Sequence, residues 1–311
     1  MTASDELHRL DTAAGVHPVY RRWLPQGDVR GPVQVVHGAS EHSGRYGRLA
    51  AALTARGLAV HAMDLRGHGR TAEQTGPGRF GEGAGAEALL DDVRALQRVA
   101  AAEHPGVPRL LLGHSMGSIV ALAAAERDGG DLAGLVLSGP VGVAPHLAES
   151  VTALEASTAA GAGDVPLDAL GAFNQTFEPA RTPYDWLSRD PAEVDAYLAD
   201  AYCGDRMPLT TGYAAGVFGL AVRSATAQAV AALPDGLPVL LLAGQHDPVG
   251  GVDAGQVSAL ADLLRDRGLP VELRVYPDAR HEVFNETNRD EVTADLLAWL
   301  QARLGRTAPP E

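Results

Sequence analysis

The chain has 311 residues, is 46% hydrophobic and carries a net charge of -14 at neutral pH. So much apolar sequence can bury a large core and excludes a disordered chain, while the negative charge works against nucleic acid and anionic membrane surfaces, whose phosphates would repel it. The one cysteine, Cys203, excludes an internal disulfide.

The opening MTASDELHRLDTAAG has no basic stretch followed by an apolar one, so no secretory signal is expected and the cytoplasm is the expected location. Residues 32–38, PVQVVHG, form a short β-branched run ending in glycine. Residues 46–56 then place Leu49, Ala52 and Leu53 at helical spacing, with Gly57 as a C-terminal stop. LAVHAMD (58–64) is strand-like, and after a loop rich in glycine and arginine, residues 87–104 are helical until Pro105 and Gly106 end them. The apolar strand PRLLLG (108–113) follows, then GLVLSGP (134–140). PVLLLAGQHD (238–247), a helix over 257–268, VELRVYPD (271–278) and a final helix over 292–304 complete the pattern. Such alternation predicts an α/β fold with a mostly parallel sheet and helices on both faces.

Between about Pro140 and Pro234 the alternation stops. The stretch has no buried-strand run, reads as mainly helical with loops such as TAAGAGDVP and EPARTPYDW, and is too long for an ordinary connection. Because both flanks return to the sheet pattern, it is read as a cap inserted between two strands. The expected division is core 1–139, helical cap 140–234 and core 235–311. Asp190, Pro191 and Glu193 supply an N-cap, a first-turn proline and a capping-box acid for one cap helix.

The stretch RLLLGHSMGSIVALAAA (109–125) sets a strand against a helix, with Ser115 between Gly113 and Gly117 at the seam. A sharp turn there lifts the serine hydroxyl above the sheet edge over a helix N-terminus, where developing negative charge is favoured. A serine needs a base to become a nucleophile. In this strand-turn-helix arrangement the chain order is Ser, acid, His, and only His146, His246 and His281 follow Ser115. His146 falls in the cap, and His246 leaves no strand-end acid between itself and the serine. His281, in the loop after 271–277, is the expected base. Asp247 ends a strand at the same sheet edge and is the expected acid, with Asp253 the runner-up and Asp278 too near His281 in sequence. The N–H groups of Met116 and Ala39 are the expected oxyanion donors, with His37 and Gly38 shaping the second turn.

Taken together, HGASEHSGRYGRLA (37–50), MDLRGHGRT (63–71), GHSMGS (113–118) and the closing GQHD and RHEVFNE segments resemble the α/β-hydrolase superfamily, and within it the monoacylglycerol lipase and lysophospholipase-like serine hydrolases. SRDPAEVDAYLAD (188–200) extends the likeness into the cap. The resemblance implies the Ser115, Asp247 and His281 triad, the Ala39 and Met116 oxyanion hole, hydrolysis of a long-chain monoester, and a cap that forms the acyl channel and lid.

Asp64, Arg66 and His68 are expected to be scaffold, and Glu41, His42 and Arg45 supports of the oxyanion loop, with contact to the substrate as the alternative. Trp186, Tyr184, Phe173 and Phe177 either line a pocket or pack the cap, and Cys203 is expected to be a buried small hydrophobe. No metal-ligand spacing occurs, and GEGAGAE lacks the preceding strand of a dinucleotide loop, so no cofactor is expected. The expected partner is a small ester or lipid. With no apolar run of spanning length, transient peripheral contact through the cap is the route left to a membrane. Two other functions compete: an aminopeptidase-type serine hydrolase, with Glu178, Asp185, Asp190 or Asp195 holding the substrate's amino group, and a non-catalytic ligand-binding homologue.

Overall fold

The protein is described from a computed structural model covering residues 6–12, 15–168 and 170–304. Part of the leader reading, at residues 1–5, 13 and 14, lies outside the described residues.

The chain opens with β1 (Glu6–Arg9), β2 (Val19–Trp23), β3 (Gly31–Val36), α1 (Gly47–Thr54) and β4 (Leu58–Met63). It continues through α2 (Ala72–Thr75), α3 (Glu87–Glu103), β5 (Arg109–His114), α4 (Met116–Asp128) and β6 (Leu132–Ser138). After β6 come α5 (Leu147–Ser157), β7 (Pro166–Leu167), α6 (Pro191–Ala199), β8 (Leu209–Thr210), α7 (Thr211–Ser224) and α8 (Ala227–Val230). The chain then re-enters the sheet as β9 (Val239–Gly244), followed by α9 (Gly255–Asp266), β10 (Val271–Tyr276) and α10 (Arg289–Leu304).

Eight strands form one sheet in the order β1-β2-β4-β3-β5-β6-β9-β10. From β4 to β10 every pairing is parallel, and β2 and β1 add an antiparallel edge. Continuous apolar strands arise because both faces are covered. In β9, Val239, Leu241 and Ala243 pack with α4 and α9 on one face, while Leu240 and Leu242 pack with α1 and α10 on the other. The same alternation splits Leu111 from Leu110 and Leu112 in β5. The two antiparallel strands, ELHR and VYRRW, are charged enough to escape a reading based on apolar runs.

Residues between β6 and β9 add no strand to this sheet among the described residues. Their own two-stranded ladder joins β7 to β8. A small core of Tyr184, Trp186, Leu187, Val194, Tyr197 and Cys203 sits within this stretch. Two local expectations need correction. TAAGAGDVP is not all loop, because Thr158–Ala162 continues α5 as a π-helical turn. The capping box of α6 is half made: Asp190 accepts from the Ala192 N–H, but Glu193 turns away to the Arg48 guanidinium at 2.7 Å, a charge-assisted contact stronger than a neutral N–H offers. Among the described residues, no helix is long and apolar enough to cross a membrane.

Candidate active site

Parallel strands end at one sheet edge, and the residues singled out above meet there. Ser115 follows β5 directly and has φ +52° and ψ -121°, a backbone conformation that costs a non-glycine residue free energy and is kept only where the surroundings impose it. Those surroundings are backbone and one neighbouring hydroxyl. The Ser115 N–H donates to the Ser138 carbonyl at 2.8 Å, and the Ser115 carbonyl accepts from the Ser118 N–H at 2.8 Å and the Ser118 hydroxyl at 2.6 Å. A Cβ on Gly113 would lie 2.3 Å from the Gly117 carbonyl oxygen, and one on Gly117 would lie 2.1 Å from that of Val36, so neither position tolerates a side chain. A helix-capping serine would spend its hydroxyl on the first turn of α4. The Ser115 hydroxyl makes no such cap and stays partly exposed among buried neighbours.

His281 Nδ1 and Asp247 Oδ2 are 2.9 Å apart, and both side chains are buried. The other Asp247 oxygen accepts from the Val249 N–H at 2.9 Å, so one oxygen closes an Asx turn and the other makes the expected histidine contact. The contact occupies His281 Nδ1 and leaves Nε2 as the nitrogen free for chemistry. Trp186 lies against the His281 ring at 4.9 Å between centroids, and its carbonyl accepts the His281 N–H. His114, beside the serine, flanks the same ring at 4.8 Å. Among the described residues, no hydrogen bond joins the Ser115 hydroxyl to His281. Such contacts are often looser in a free enzyme than in its complexes.

Burial disfavours a protonated His281. The Asp247 charge and hydrogen bond, with Glu282 and Glu41 farther away, outweigh burial and raise the His281 pKa above its ordinary value. His114 moves the other way, to about 4, through burial and then the repulsion of His281, and is neutral at physiological pH. Two similar rings thus separate into one basic and one inert imidazole.

Met116 follows Ser115 in the chain and Ala39 follows Gly38, where a Cβ would lie 3.1 Å from the Ser115 Cβ; neither the Ala39 nor the Met116 N–H donates to an acceptor among the described residues. The Gly38 N–H donates to Glu41. Glu41 also accepts from the Tyr46 hydroxyl at 2.8 Å and from Arg45 at 2.8 Å. Arg45 then reaches both carboxylate oxygens of Glu282, at 2.6 and 2.7 Å. One guanidinium therefore ties the loop after β3 to the residue following His281. Glu282 was missed in the sequence because nothing local marks it as a partner for a residue 237 positions away. Arg45→Met is expected to leave two buried carboxylates unpaired and lower stability by about 3–5 kcal/mol, measured by urea denaturation. Stability within error of the wild type would contradict this account of the network.

The remaining candidates resolve locally. Asp253 takes a distant hydrogen bond from Gln245 at 3.3 Å and does not approach His281 among the described contacts. His246 lies on a surface cavity, with its N–H on the Ala279 carbonyl. Asp64 accepts from Ser43 and Arg70, and Arg66 pairs with Asp92 at 2.7 Å in the core, as scaffold residues do. His42 binds Asp200 at 2.9 Å. Cys203 is buried and burial pushes its thiol pKa up, which suits an inert hydrophobe. Tyr184 and Trp186 are buried in the small core, with Phe173 and Phe177 against it.

A nucleophile-type turn at the carboxyl edge of a parallel sheet, with an acid and a histidine on later loops, defines an α/β-hydrolase of the serine type. The chain belongs to the family described as serine aminopeptidase, S33, whose model matches residues 27–288. It is 36% identical to the monoacylglycerol lipase of Mycolicibacterium smegmatis, over 96% of this chain and 97% of that protein. It is 31% identical to the monoglyceride lipase of Homo sapiens, over 98% and 94%. Among solved structures, a thermostable carboxyl esterase from Bacillus coagulans in complex with glycerol superposes with a TM-score of 0.89 at 27% identity, covering 98% of this chain and 99% of that one.

Proposed function

We propose that the protein hydrolyses carboxylic esters of the monoacylglycerol or lysophospholipid type through an acyl-enzyme, with Ser115 as nucleophile, His281 as base and Asp247 as the acid that orients it. The observation that carries this reading is Ser115 held at φ +52° by hydrogen bonds to its backbone, its hydroxyl unused among the described residues, beside a buried His281–Asp247 pair.

His281 Nε2 takes the Ser115 proton as the oxygen attacks the ester carbonyl. The tetrahedral intermediate places its oxyanion toward the Ala39 and Met116 N–H groups. His281 then returns the proton to the departing alcohol, and water, activated the same way, releases the fatty acid. Asp247 keeps the histidine in the tautomer with Nδ1 protonated and stabilises the imidazolium. Residues 140–234 act as the cap between core segments 1–139 and 235–311. A cleft of about 470 Å³ in this segment, bordered by Leu167, Leu170, Tyr184 and Leu209, opens beside Ser40 and is within the size range of small-molecule sites. Peripheral membrane contact through the cap and a cytoplasmic location belong to the same reading, checked by vesicle flotation and cell fractionation.

The family description gives weight to an aminopeptidase alternative. Its candidate carboxylates are engaged elsewhere: Asp185 with Thr182, Asp190 with Arg289, Asp195 with Arg181, and Glu178 with the Ala180 N–H. Hydrolysis of p-nitrophenyl esters from acetate to palmitate, of a monoacylglycerol and of an aminoacyl p-nitroanilide separates the readings. Ester and monoacylglycerol turnover with a chain-length optimum is expected. Preference for the anilide would move the protein to peptidases, and no turnover would favour a binding role.

The base must be neutral to act, and the His281 pKa is raised. The acid limb of kcat/KM against pH is therefore expected to have its midpoint above 6.5, with activity lost as pH falls through it. A midpoint well below 6.5 would show that Asp247 does not hold the proton on His281.

A further inference from the structure

Ser40 immediately follows Ala39, the residue assigned one oxyanion donor. Its backbone is left-handed, with φ +53°, a region disfavoured for residues that carry a Cβ. Ala39 and Ser40 form a turn of the core loop, and the inserted segment holds that turn from outside. The Ser40 carbonyl accepts the Tyr197 hydroxyl at 2.9 Å and the Gly204 N–H at 3.0 Å, and the Ser40 hydroxyl donates to the Met207 carbonyl at 2.9 Å. All three partners belong to the segment between β6 and β9. Ser40 and Tyr197 are each 2% exposed, so water does not replace these bonds in the folded chain. The Tyr197 ring is fixed in turn, tilted against Tyr184 at 5.1 Å between centroids and under the Arg45 guanidinium at 4.9 Å. On the core side, Glu41 holds Gly38. The loop is thus gripped at Gly38 by the core and at Ser40 by the inserted segment, with Ala39 between.

We propose that Tyr197, with the Gly204 and Met207 backbone, is a positioning set that fixes Ser40 in its left-handed conformation and so aims the Ala39 N–H at the reacting carbonyl. The inserted segment completes the oxyanion hole as well as covering the substrate. This rests on the triad reading above. Preorganised donors stabilise a transition state only if they are already aimed, and a displacement of about 1 Å can cost about 100-fold in rate. Binding of the ground-state ester makes little use of that aim, so the effect falls on kcat.

The test is Tyr197→Phe, which removes one hydroxyl and keeps the ring packing, assayed on p-nitrophenyl butyrate, a substrate without a glycerol head group. The expected result is a kcat lower by roughly 10- to 100-fold with KM changed less than about 3-fold. Inhibition by an alkyl trifluoromethyl ketone, whose hemiketal places an oxyanion in the hole, should weaken by the same factor. Ser40→Ala, which removes only the bond to Met207, should give a smaller loss of the same kind. Wild-type kcat in Tyr197→Phe, or a change confined to KM, would overturn the proposal and leave the triad standing. Absence of ester turnover in the wild type would remove both.

Discussion

Ser115→Ala is expected to lower kcat/KM on p-nitrophenyl butyrate by about a million-fold, to the level that binding and oxyanion stabilisation alone can sustain. The loss is large because every covalent step passes through that oxygen. The fold should not register the change. Alanine carries the same Cβ at φ +52°, and the hydrogen bonds that hold the turn run through the Ser115 backbone. Stability within about 0.5 kcal/mol of the wild type is therefore expected. A variant that lost activity by unfolding would say nothing of the nucleophile, so the activity and denaturation measurements belong together.

Asp247→Asn carries the second large effect, about 10,000-fold in kcat. The side chain keeps its shape, and its second oxygen position still serves the Val249 N–H at 2.9 Å. What changes is the atom facing His281 Nδ1. An amide N–H there favours the tautomer with its proton on Nε2, the nitrogen that must accept the serine proton. The charge that raises the His281 pKa also disappears. With that charge gone, burial dominates, and the acid limb of the residual activity should move to lower pH than in the wild type. A loss below about 10-fold, with an unmoved acid limb, would assign the acid elsewhere.

Much of this arrangement was legible in the sequence, for physical reasons that differ by element. The parallel strands announce themselves because burial on both faces demands uninterrupted apolar runs such as VLLLAG. Ser115 is legible because only glycine can stand two residues to either side of it, given carbonyl oxygens little more than 2 Å from each missing Cβ. His281 and Asp247 follow from chain order once the serine is fixed, and the structure brings the two together at 2.9 Å. The antiparallel strands β1 and β2 stayed hidden because VYRRW must satisfy solvent and ion pairs as well as a sheet. Arg22 in β2 pairs with Glu6 and Glu103.

Long-range polar contacts were the other blind spot. Glu282 looks like an ordinary loop acid until Arg45 arrives from a distant loop. Tyr197 has the spacing of a buried residue of α6, and it is one, yet its hydroxyl ends on the Ser40 carbonyl. No periodicity encodes such a pairing, since it depends on where the inserted segment lands on the sheet edge.

The central claim is that Ser115 is the nucleophile of an ester hydrolase, and covalent capture tests it without assuming a natural substrate. The protein would be treated with an alkyl fluorophosphonate, and intact mass, peptide map and residual ester hydrolysis followed together. The account predicts one adduct per chain, located on Ser115, accumulating in step with loss of activity and absent from Ser115→Ala. An adduct on another residue that tracks the loss, or full ester turnover by a chain already labelled at Ser115, would contradict it.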